Sequence, residues 1–312
     1  MMIRFRLSNP YTVIKWSVSG CGFCLGWLIC EAALAQNPLV VELSTTGFKT
    51  ADGKQIVLPK PVLEDGMTAA EQEAALLPIA KPKGRDRFYT GDIRSVFAFD
   101  VEQVKEFADG SKLREVEVFF VAKGTIEDVN ENNLLDGVGK PSQGSDEAIP
   151  QDSRELTEEE LARAGLKNGK QDDGSYLSYG TIQVNLIDKV FLDVVTKSQT
   201  TKEEESLTMG TSLNESLAKL TELPSTWQPI VRVKNRLQLG TPKADFFALA
   251  GYAKATALKN ETGKILVEIH VMFVEPEAWY NGRNLLGSKL APVIDDSVTK
   301  FRRKLAQAQA KR

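Results

Sequence analysis

Oxygen-bearing side chains recur at alternate positions in one short polar segment of the sequence. Asp128, Asn130, Asn132 and Asp136 supply side-chain oxygens, and the backbone carbonyl of Leu134 offers one more. A hard cation such as Ca²⁺ takes about six to eight oxygen ligands, and alternate residues of a tight loop direct theirs to a common centre. The spacing therefore predicts a calcium-binding loop.

This segment resembles the calcium loop of EF-hand proteins and of thrombospondin type 3 repeats over about a dozen residues. Asn133 stands where the family has Gly, and Asn tolerates the left-handed backbone of that turn. Gly139 stands where the family has a bidentate acid. The resemblance therefore implies that water or a remote carboxylate, such as Asp146 or Glu147, completes the site. The alternative is that these Asn, Asp and Gly residues simply form a turn.

His270 is the one histidine of the chain, and it lies two residues after Glu268 in an alternating pattern typical of a strand. A histidine held by a carboxylate can act as a general base, so one hypothesis is a carboxylate-dependent hydrolase using Asp128, Asp136, Glu268 and His270. The other interpretation is a half-exposed polar position of a strand. A single histidine excludes a multi-histidine metal site, and the common hydrolase and nucleotide-binding signatures are missing from the sequence.

The first 35 residues are typical of a secretory signal peptide. Basic residues precede an apolar run from Trp16 to Cys30, and Ala33-Leu34-Ala35 has the form of a cleavage site. We therefore expect an exported protein, periplasmic or extracellular after cleavage near Ala35-Gln36. An uncleaved anchor and a lipoprotein are the alternatives.

All three cysteines of the chain, Cys21, Cys24 and Cys30, lie in this leader. Its removal would leave a chain without disulfides, thiol nucleophiles or thiolate metal sites, so stability must come from a buried core. The composition, with 42% hydrophobic residues and a net charge of -3, is typical of a globular chain.

Local signals predict the main elements of the fold. Two capping boxes predict helix starts and two Gly-containing turns predict hairpins, at Thr68–Glu71, Thr157–Glu160, Asp109–Gly110 and Glu261–Gly263. Leu39 to Thr45 predicts a strand, and the alternation from Thr181 to Thr196 predicts one long strand. We expect residues 36–88 to form an N-terminal arm with a short helix, packed on a main body of residues 89–312.

The two predicted hairpins have similar sequences. Glu115–Val121 and Glu268–Val274 share an order of acidic and apolar residues, and helical patterns follow both. A strand–strand–helix repeat over 93–165 and 246–308 is one interpretation, and a chance likeness of strands is the other. Both interpretations predict an α+β fold of antiparallel hairpins with flanking helices, and the repeat interpretation makes it two ββα repeats.

The last predicted helix, from about Pro292 to Ala308, is basic. Its cations predict attachment to an anionic envelope surface, or alternatively a solvated end that complements the helix dipole: Lys300, Arg302, Arg303 and Lys304. Nucleic acid is not an expected partner of an exported acidic chain. Trp279 and Tyr280 either stack on a sugar or partner, if exposed, or anchor a corner of the core.

The leading functional hypothesis is an exported, non-catalytic cell-envelope protein with a structural or interaction role, because the sequence offers few residues suited to catalysis. The alternative is a calcium-stabilised or carbohydrate-binding module. The carboxylate-dependent hydrolase is the third hypothesis. No cofactor other than Ca²⁺ is expected.

Overall fold

A large antiparallel sheet with helices on both faces forms the fold, as the α+β class predicts. The computed structural model describes residues 36–50, 53–135, 149, 153–213, 215–280 and 285–311. The predicted signal peptide lies outside the described residues.

The helices have the following bounds: α1 Pro38–Thr45, α2 Ala69–Ala80, α3 Arg85–Tyr89, α4 Ile126–Glu131, α5 Glu158–Arg163, α6 Glu215–Thr221 and α7 Leu286–Gln309. The strands are β1 Phe48–Lys49, β2 Gln55–Ile56, β3 Ala98–Glu106, β4 Lys112–Lys123, β5 Ser153–Glu155, β6 Gly169–Lys170, β7 Tyr176–Leu186, β8 Val190–Lys202, β9 Ser206–Leu213, β10 Thr226–Val233, β11 Arg236–Leu239, β12 Ala244–Asp245, β13 Leu249–Ala257 and β14 Lys264–Glu275.

The strand order places the C-terminal hairpin in the middle of the sheet. The neighbours run β3, β4, β14, β13, β9, β8 and β7, and β5 and β6 pair with the outer side of β7. The strands β10, β11 and β12 extend the sheet beside the first residues of β8. The central position of β14 brings its side chains next to those of β4, far away in sequence.

Both predicted hairpins are confirmed. β3 and β4 meet at Asp109–Gly110, where the Asp109 carboxylate accepts a hydrogen bond from the Ser111 backbone N–H at 3.0 Å. β13 and β14 meet at a turn that contains Gly263 at φ +73°. The two hairpins are direct neighbours because β4 pairs with β14 along its whole length.

Two predicted strands are wrong. Leu39 to Thr45 belongs to helix α1, because Pro38 starts the helix and the Asn37 side chain accepts a hydrogen bond from the Val40 N–H. The run from Thr181 to Thr196 is divided between β7 and β8 by a turn with positive φ at Ile187 and Asp188. Apolar alternation alone did not reveal either feature.

Helices α7 and α4 pack on one face of the sheet. Phe301 and Leu305 of α7 share a buried cluster with Phe120 of β4 and Val267 of β14. Gly124 lies beneath α7 at φ +154°, and a Cβ there would approach the Leu305 side chain to 2.6 Å. This close approach explains why a glycine follows β4.

Residues 36–88 pack on the opposite face. Leu39 and Phe48 share a buried cluster with Met272, and Leu63 shares another with Leu266. The capping box at Thr68 and Glu71 starts α2 as predicted. The arm therefore buries a face of the sheet that the sequence pattern makes partly polar.

The predicted ββα repeats over 93–165 and 246–308 are not shown. α5 is a six-residue helix in contact with α6, whereas α7 has 24 residues and packs against β3 and β4. The similar hairpins are thus adjacent strands of one sheet, and the helices after them differ in length and position.

Candidate functional site

The predicted calcium loop overlaps helix α4. A capping box starts this helix, in which the Asp128 carboxylate accepts hydrogen bonds from the backbone N–H and hydroxyl of Thr125 at 3.0 and 2.9 Å. Asn132 donates its side-chain N–H to the Asp128 carbonyl at 2.8 Å. Asn133 has φ +47°, in the left-handed region expected from the sequence.

The other predicted calcium ligands differ in how far they are buried, and one of them is not described. Asn130 is half-buried, Asn132 is exposed and the Leu134 side chain lies in the main core. Asp136 lies outside the described residues, as do Gly139 and the remote carboxylates Asp146 and Glu147. Calcium binding therefore stays a prediction.

Glu268 and His270 are buried beneath the N-terminal arm, with 0% and 1% exposure. The Glu268 carboxylate accepts hydrogen bonds from the backbone N–H groups of Val62 and Leu63 at 2.8 and 3.5 Å. The expectation that His270 is half-exposed is wrong, because the arm covers this face of β14.

Carboxylates of two strands surround His270. Its Nδ1 lies 3.2 Å from Oε1 of Glu117, its register partner in β4, and its Nε2 lies 3.7 Å from Oε2 of Glu268. Burial disfavours the charged imidazole, but these two carboxylates outweigh burial and raise the pKa of His270 to about 9. The imidazole therefore holds a proton at neutral pH.

Aromatic rings enclose the same histidine. Tyr252 of β13 stacks on His270 with 4.8 Å between ring centroids, and Phe119 meets it edge-on at 5.3 Å. Beyond Tyr252, the buried Lys254 donates to the Leu63 carbonyl at 2.9 Å and lies 3.1 Å from Asp65. Lys254 thus neutralises a carboxylate of the arm.

Glu115 adds another acid to this region. A carboxylate oxygen of Glu115, one of Glu117 and a ring nitrogen of His270 all lie within 4.8 Å of one another. Burial, and then the charge of Glu117, raise the pKa of Glu115. We call Glu115, Glu117 and His270 the carboxylate–histidine cluster.

The residues of the hydrolase hypothesis do not converge. Asp128 belongs to α4, whose apolar side pairs with α7 on one face of the sheet. Glu268 and His270 project from the other face, because successive side chains of a strand alternate. Asp136 lies outside the described residues, so the described members form no common catalytic site.

A groove with a volume of about 490 Å³ lies over β7, β8 and β9, with β5 and the end of α4 at its rim. Its lining is rich in neutral polar side chains: Asn130, Asn133, Ser153, Tyr176, Ser178, Tyr179, Thr181, Thr196, Ser198, Thr200 and Thr211. We call it the hydroxyl groove. Its apolar contacts come from Leu135, Ile182, Leu207 and Met209.

Strand register explains the hydroxyl groove. Ser178 pairs with Ser198, which pairs in turn with Thr211, so three strands present hydroxyls in one row. The Ser198 and Thr211 hydroxyls lie 3.0 Å apart, and Tyr176 at the rim is 44% exposed. The sequence signal that could have indicated this row is the alternation of Thr196, Ser198 and Thr200, which lies at and beyond the end of the predicted strand Thr181–Thr196.

The charged residues that line the hydroxyl groove already have partners. Both terminal nitrogens of Arg154 donate to the Glu160 carboxylate at 2.7 and 2.8 Å. Glu155 accepts a hydrogen bond from the Asn168 side chain at 3.3 Å. The charge of Arg154 is therefore balanced by Glu160, and apart from Glu155 the rest of the described lining is uncharged.

Burial removes Trp279 and Tyr280 from the surface, where the sequence allowed them to stack on a sugar or partner. Trp279 and Tyr280, each 4% exposed, lie in the core, where Trp279 meets the rings of Trp227 and Phe273. They anchor the corner after β14 and do not offer a stacking surface. The sequence was compatible both with this core role and with an exposed stacking role.

Arg302 does not belong to the predicted anionic-surface contact. It is 3% exposed and donates to the backbone carbonyls of Val121 and Ser95 at 2.9 and 2.6 Å. Lys300 pairs with Asp296 at 2.8 Å. Arg303 and Lys304 are exposed, so envelope attachment through the last helix stays a prediction.

The fold and its two polar sites define an α+β protein with a largely uncharged polar groove on one sheet face and a half-buried carboxylate–histidine cluster on the other. Within the described residues, no helix is long and apolar enough to cross a membrane.

No protein-family model matches the chain, and no curated protein shows significant sequence similarity to it. Solved structures with similar arrangements include the human StarD13 (DLC2) lipid transfer and protein localization domain, at 9% identity and a TM-score of 0.32, covering 74% of this chain and 96% of that one. Human STARD10 matches at 8% identity and 0.33, covering 80% and 87%. The Zhui aromatase/cyclase from Streptomyces sp. R1128 matches at 12% and 0.30, covering 63% and 94%. Similarities at this level assign neither a family nor a function.

Proposed function

We propose that this protein is an exported, non-catalytic cell-envelope protein that binds a neutral polyhydroxylated ligand, of the carbohydrate class, in the hydroxyl groove. The observation on which the proposal rests is the lining of that groove, in which hydroxyl and amide side chains of β7, β8, β9 and α4 face one space of about 490 Å³.

The chemistry of the lining favours a sugar over an ion or a lipid. Serine, threonine and asparagine side chains both donate and accept hydrogen bonds, which matches a ligand with many hydroxyl groups. Ile182 and Met209 provide apolar area for the C–H face of a sugar ring, and Tyr176 at the rim provides an aromatic face.

The positions of the acids favour binding over catalysis. Glycoside hydrolysis uses two carboxylates that flank the scissile bond. Glu155 is the carboxylate of the described groove lining, and it already accepts a hydrogen bond from Asn168. Glu268 and His270 lie beneath the arm on the other face.

A glycan array followed by calorimetry tests the binding proposal. We expect the full chain to bind members of a panel of neutral oligosaccharides. Replacing the groove hydroxyls by Ser198→Ala or Thr200→Val should weaken binding about threefold to tenfold, because each removes one hydrogen-bonding group at constant fold. Tyr176→Ala should weaken it similarly if a sugar stacks on that ring.

The matched control is Thr299→Val, which removes a half-buried hydroxyl from α7, away from the groove. Its affinity should equal that of the unaltered chain. Absence of binding across the whole panel would overturn the proposal. So would oligosaccharide binding that Ser198→Ala, Thr200→Val and Tyr176→Ala all leave unchanged.

The exported location is proposed from the leader-like residues 1–35. N-terminal sequencing of the protein recovered from the cell envelope should give Gln36 as the first residue. Recovery of the intact chain from the cytosol would contradict this location without touching the binding proposal.

A further inference from the structure

The carboxylate–histidine cluster has the dimensions of a metal site. His270 Nδ1 and Glu117 Oε1 lie 3.2 Å apart, and the whole set, with Glu115, spans 4.8 Å. Bonds of about 2.1 Å in a tetrahedral zinc site separate neighbouring ligand atoms by about 3.4 Å. Glu117 and His270 already have that spacing, and a small rotation of the half-buried Glu115 side chain would complete it.

The surroundings supply more negative than positive charge. Glu115, Glu117 and Glu268 face one imidazole, and register places Glu102 and Asp100 of β3 beside Glu115 and Glu117. Lys254 does not offset this excess, because it contacts Asp65 of the arm. A divalent cation would reduce this excess of negative charge.

A buried hydroxyl points independently to a ligand. Tyr252 is 2% exposed, and its hydroxyl has no hydrogen-bond partner among the described residues. Tyr252 is the register partner of His270 in β13 and stacks on the imidazole with 4.8 Å between ring centroids, so this side chain lies against the cluster. Buried polar groups are normally hydrogen-bonded, and water on a metal ion at the cluster would satisfy this one.

The second ring nitrogen of His270 also fits metal binding. A metal-bound histidine commonly directs its other nitrogen to a carboxylate, which fixes the ring orientation. Nε2 of His270 lies 3.7 Å from Glu268, and that carboxylate is itself held by the Val62 N–H at 2.8 Å. At 3.7 Å the contact between Nε2 and Glu268 is longer than a hydrogen bond, so Glu268 acts as a positioning residue through its charge, and Nδ1 is the nitrogen directed at Glu117.

We propose that Glu115, Glu117 and His270 bind one first-row divalent metal ion of the zinc class. Imidazole as a ligand favours zinc and its neighbours over calcium and magnesium, which prefer oxygen alone. The ion lies between Nδ1 of His270 and the Glu117 carboxylate, with Glu115 beside it. Because the Glu117 side chain is 37% exposed, the ion reaches this position from solvent at the β3–β4 side of the arm.

Calorimetry with Zn²⁺ on the chelator-treated full chain tests this site. Cys21, Cys24 and Cys30 are replaced by serine in all samples, since free thiols also bind zinc. We expect one Zn²⁺ per chain, with affinity at least about tenfold higher than for Mg²⁺ or Ca²⁺. Glu115→Gln and Glu117→Gln should each lower the zinc affinity at least about tenfold, as expected for the loss of a charged ligand.

Both carboxylates are half-buried, so these glutamine variants should fold even if His270→Asn does not. Glu106→Gln, at the exposed end of β3, is the matched control and should keep the zinc affinity. Co²⁺ in place of Zn²⁺ should give a visible absorption band that Glu117→Gln alters. Failure to take up one equivalent of Zn²⁺, or uptake that neither glutamine variant weakens, would refute the site.

Discussion

Arg114 and Glu275 form an ion pair that is almost completely removed from water, at 1% and 3% exposure. Arg114 lies on β4 and Glu275 at the end of β14, so the pair joins the two hairpins. A buried pair gives little net stability compared with apolar residues, but removing one member leaves an unpaired charge in the interior. The energetic role of these residues therefore appears when one of them is changed alone.

Arg114→Met should lower the free energy of unfolding by about 3–5 kcal/mol, because the Glu275 carboxylate loses its partner. The double variant Arg114→Met, Glu275→Gln should recover part of that loss. Urea denaturation of Arg114→Met, Glu275→Gln and the double variant measures the coupling free energy between the two residues. Arg232→Met, at an exposed position of β10, is the control and should change stability little. Equal losses in Arg114→Met and Arg232→Met would contradict the assignment.

At the start of helix α5, the Glu160 side chain takes part in the N-terminal capping box and also binds a residue of strand β5. Glu160 accepts from the Thr157 backbone N–H at 2.8 Å within the capping box and also binds Arg154 of β5. The hydrogen bonds from Arg154, followed by that from Thr157, lower the pKa of Glu160 to about 2. The carboxylate is thus stabilised in its charged form by the folded state.

The pKa of Glu160 is lower in the folded state than in the unfolded state, where it is near 4.5, so the carboxylate stabilises the fold at pH values above 4.5. This contribution is lost as the pH falls through about 2. Glu160→Gln should therefore destabilise the protein at about pH 7 and converge with the unaltered protein near pH 2. Urea denaturation across this range measures the difference. Glu159→Gln, at an exposed position of the same helix, is the control and should change stability little. A constant difference for Glu160→Gln across the range would contradict this mechanism.

Elements whose signals are local were predicted from the sequence. The capping boxes at Thr68 and Thr157 and the turn at Asp109–Gly110 need contacts among a few neighbouring residues, and all three are confirmed. The strand prediction for Leu39–Thr45 is wrong because Asn37 and Pro38 decide the conformation against the apolar pattern.

The candidate sites depend on contacts between distant parts of the chain, and the sequence did not reveal their composition. The sequence analysis paired His270 with Glu268, but spacing along one strand cannot show how deeply the arm covers them. Glu117 faces His270 because β4 and β14 pair in one register, and a shift of one residue would turn it to the other face. The hydroxyl groove likewise requires three strands in register.

In the whole molecule, the arm of residues 36–88 is a structural layer that completes the core. Its apolar side chains fill two buried clusters with the sheet, and its backbone N–H groups at Val62 and Leu63 satisfy Glu268. The arm and the sheet are therefore expected to unfold together.

Leu39→Ala and Leu63→Ala should each lower the free energy of unfolding by about 2–5 kcal/mol and retain a single transition. Tryptophan fluorescence and circular dichroism should report the same midpoint, since the sheet cannot keep its polar face uncovered. Leu77→Ala, at a position that is 45% exposed, is the control and should change stability by less than about 0.5 kcal/mol. An early transition of the arm, with the main transition unchanged in these variants, would contradict a common core.

The central position of β14 has a consequence for how the chain acquires its structure. Arg114 and Glu275, which meet across β4 and β14, are 161 residues apart in the chain. During synthesis one edge of β4 stays without its neighbour until the last hairpin emerges, and sheets built from such distant pairings form slowly. Until β14 is made, β4 therefore presents an unpaired edge to which other strands can pair, and the sheet closes only when the two distant hairpins meet.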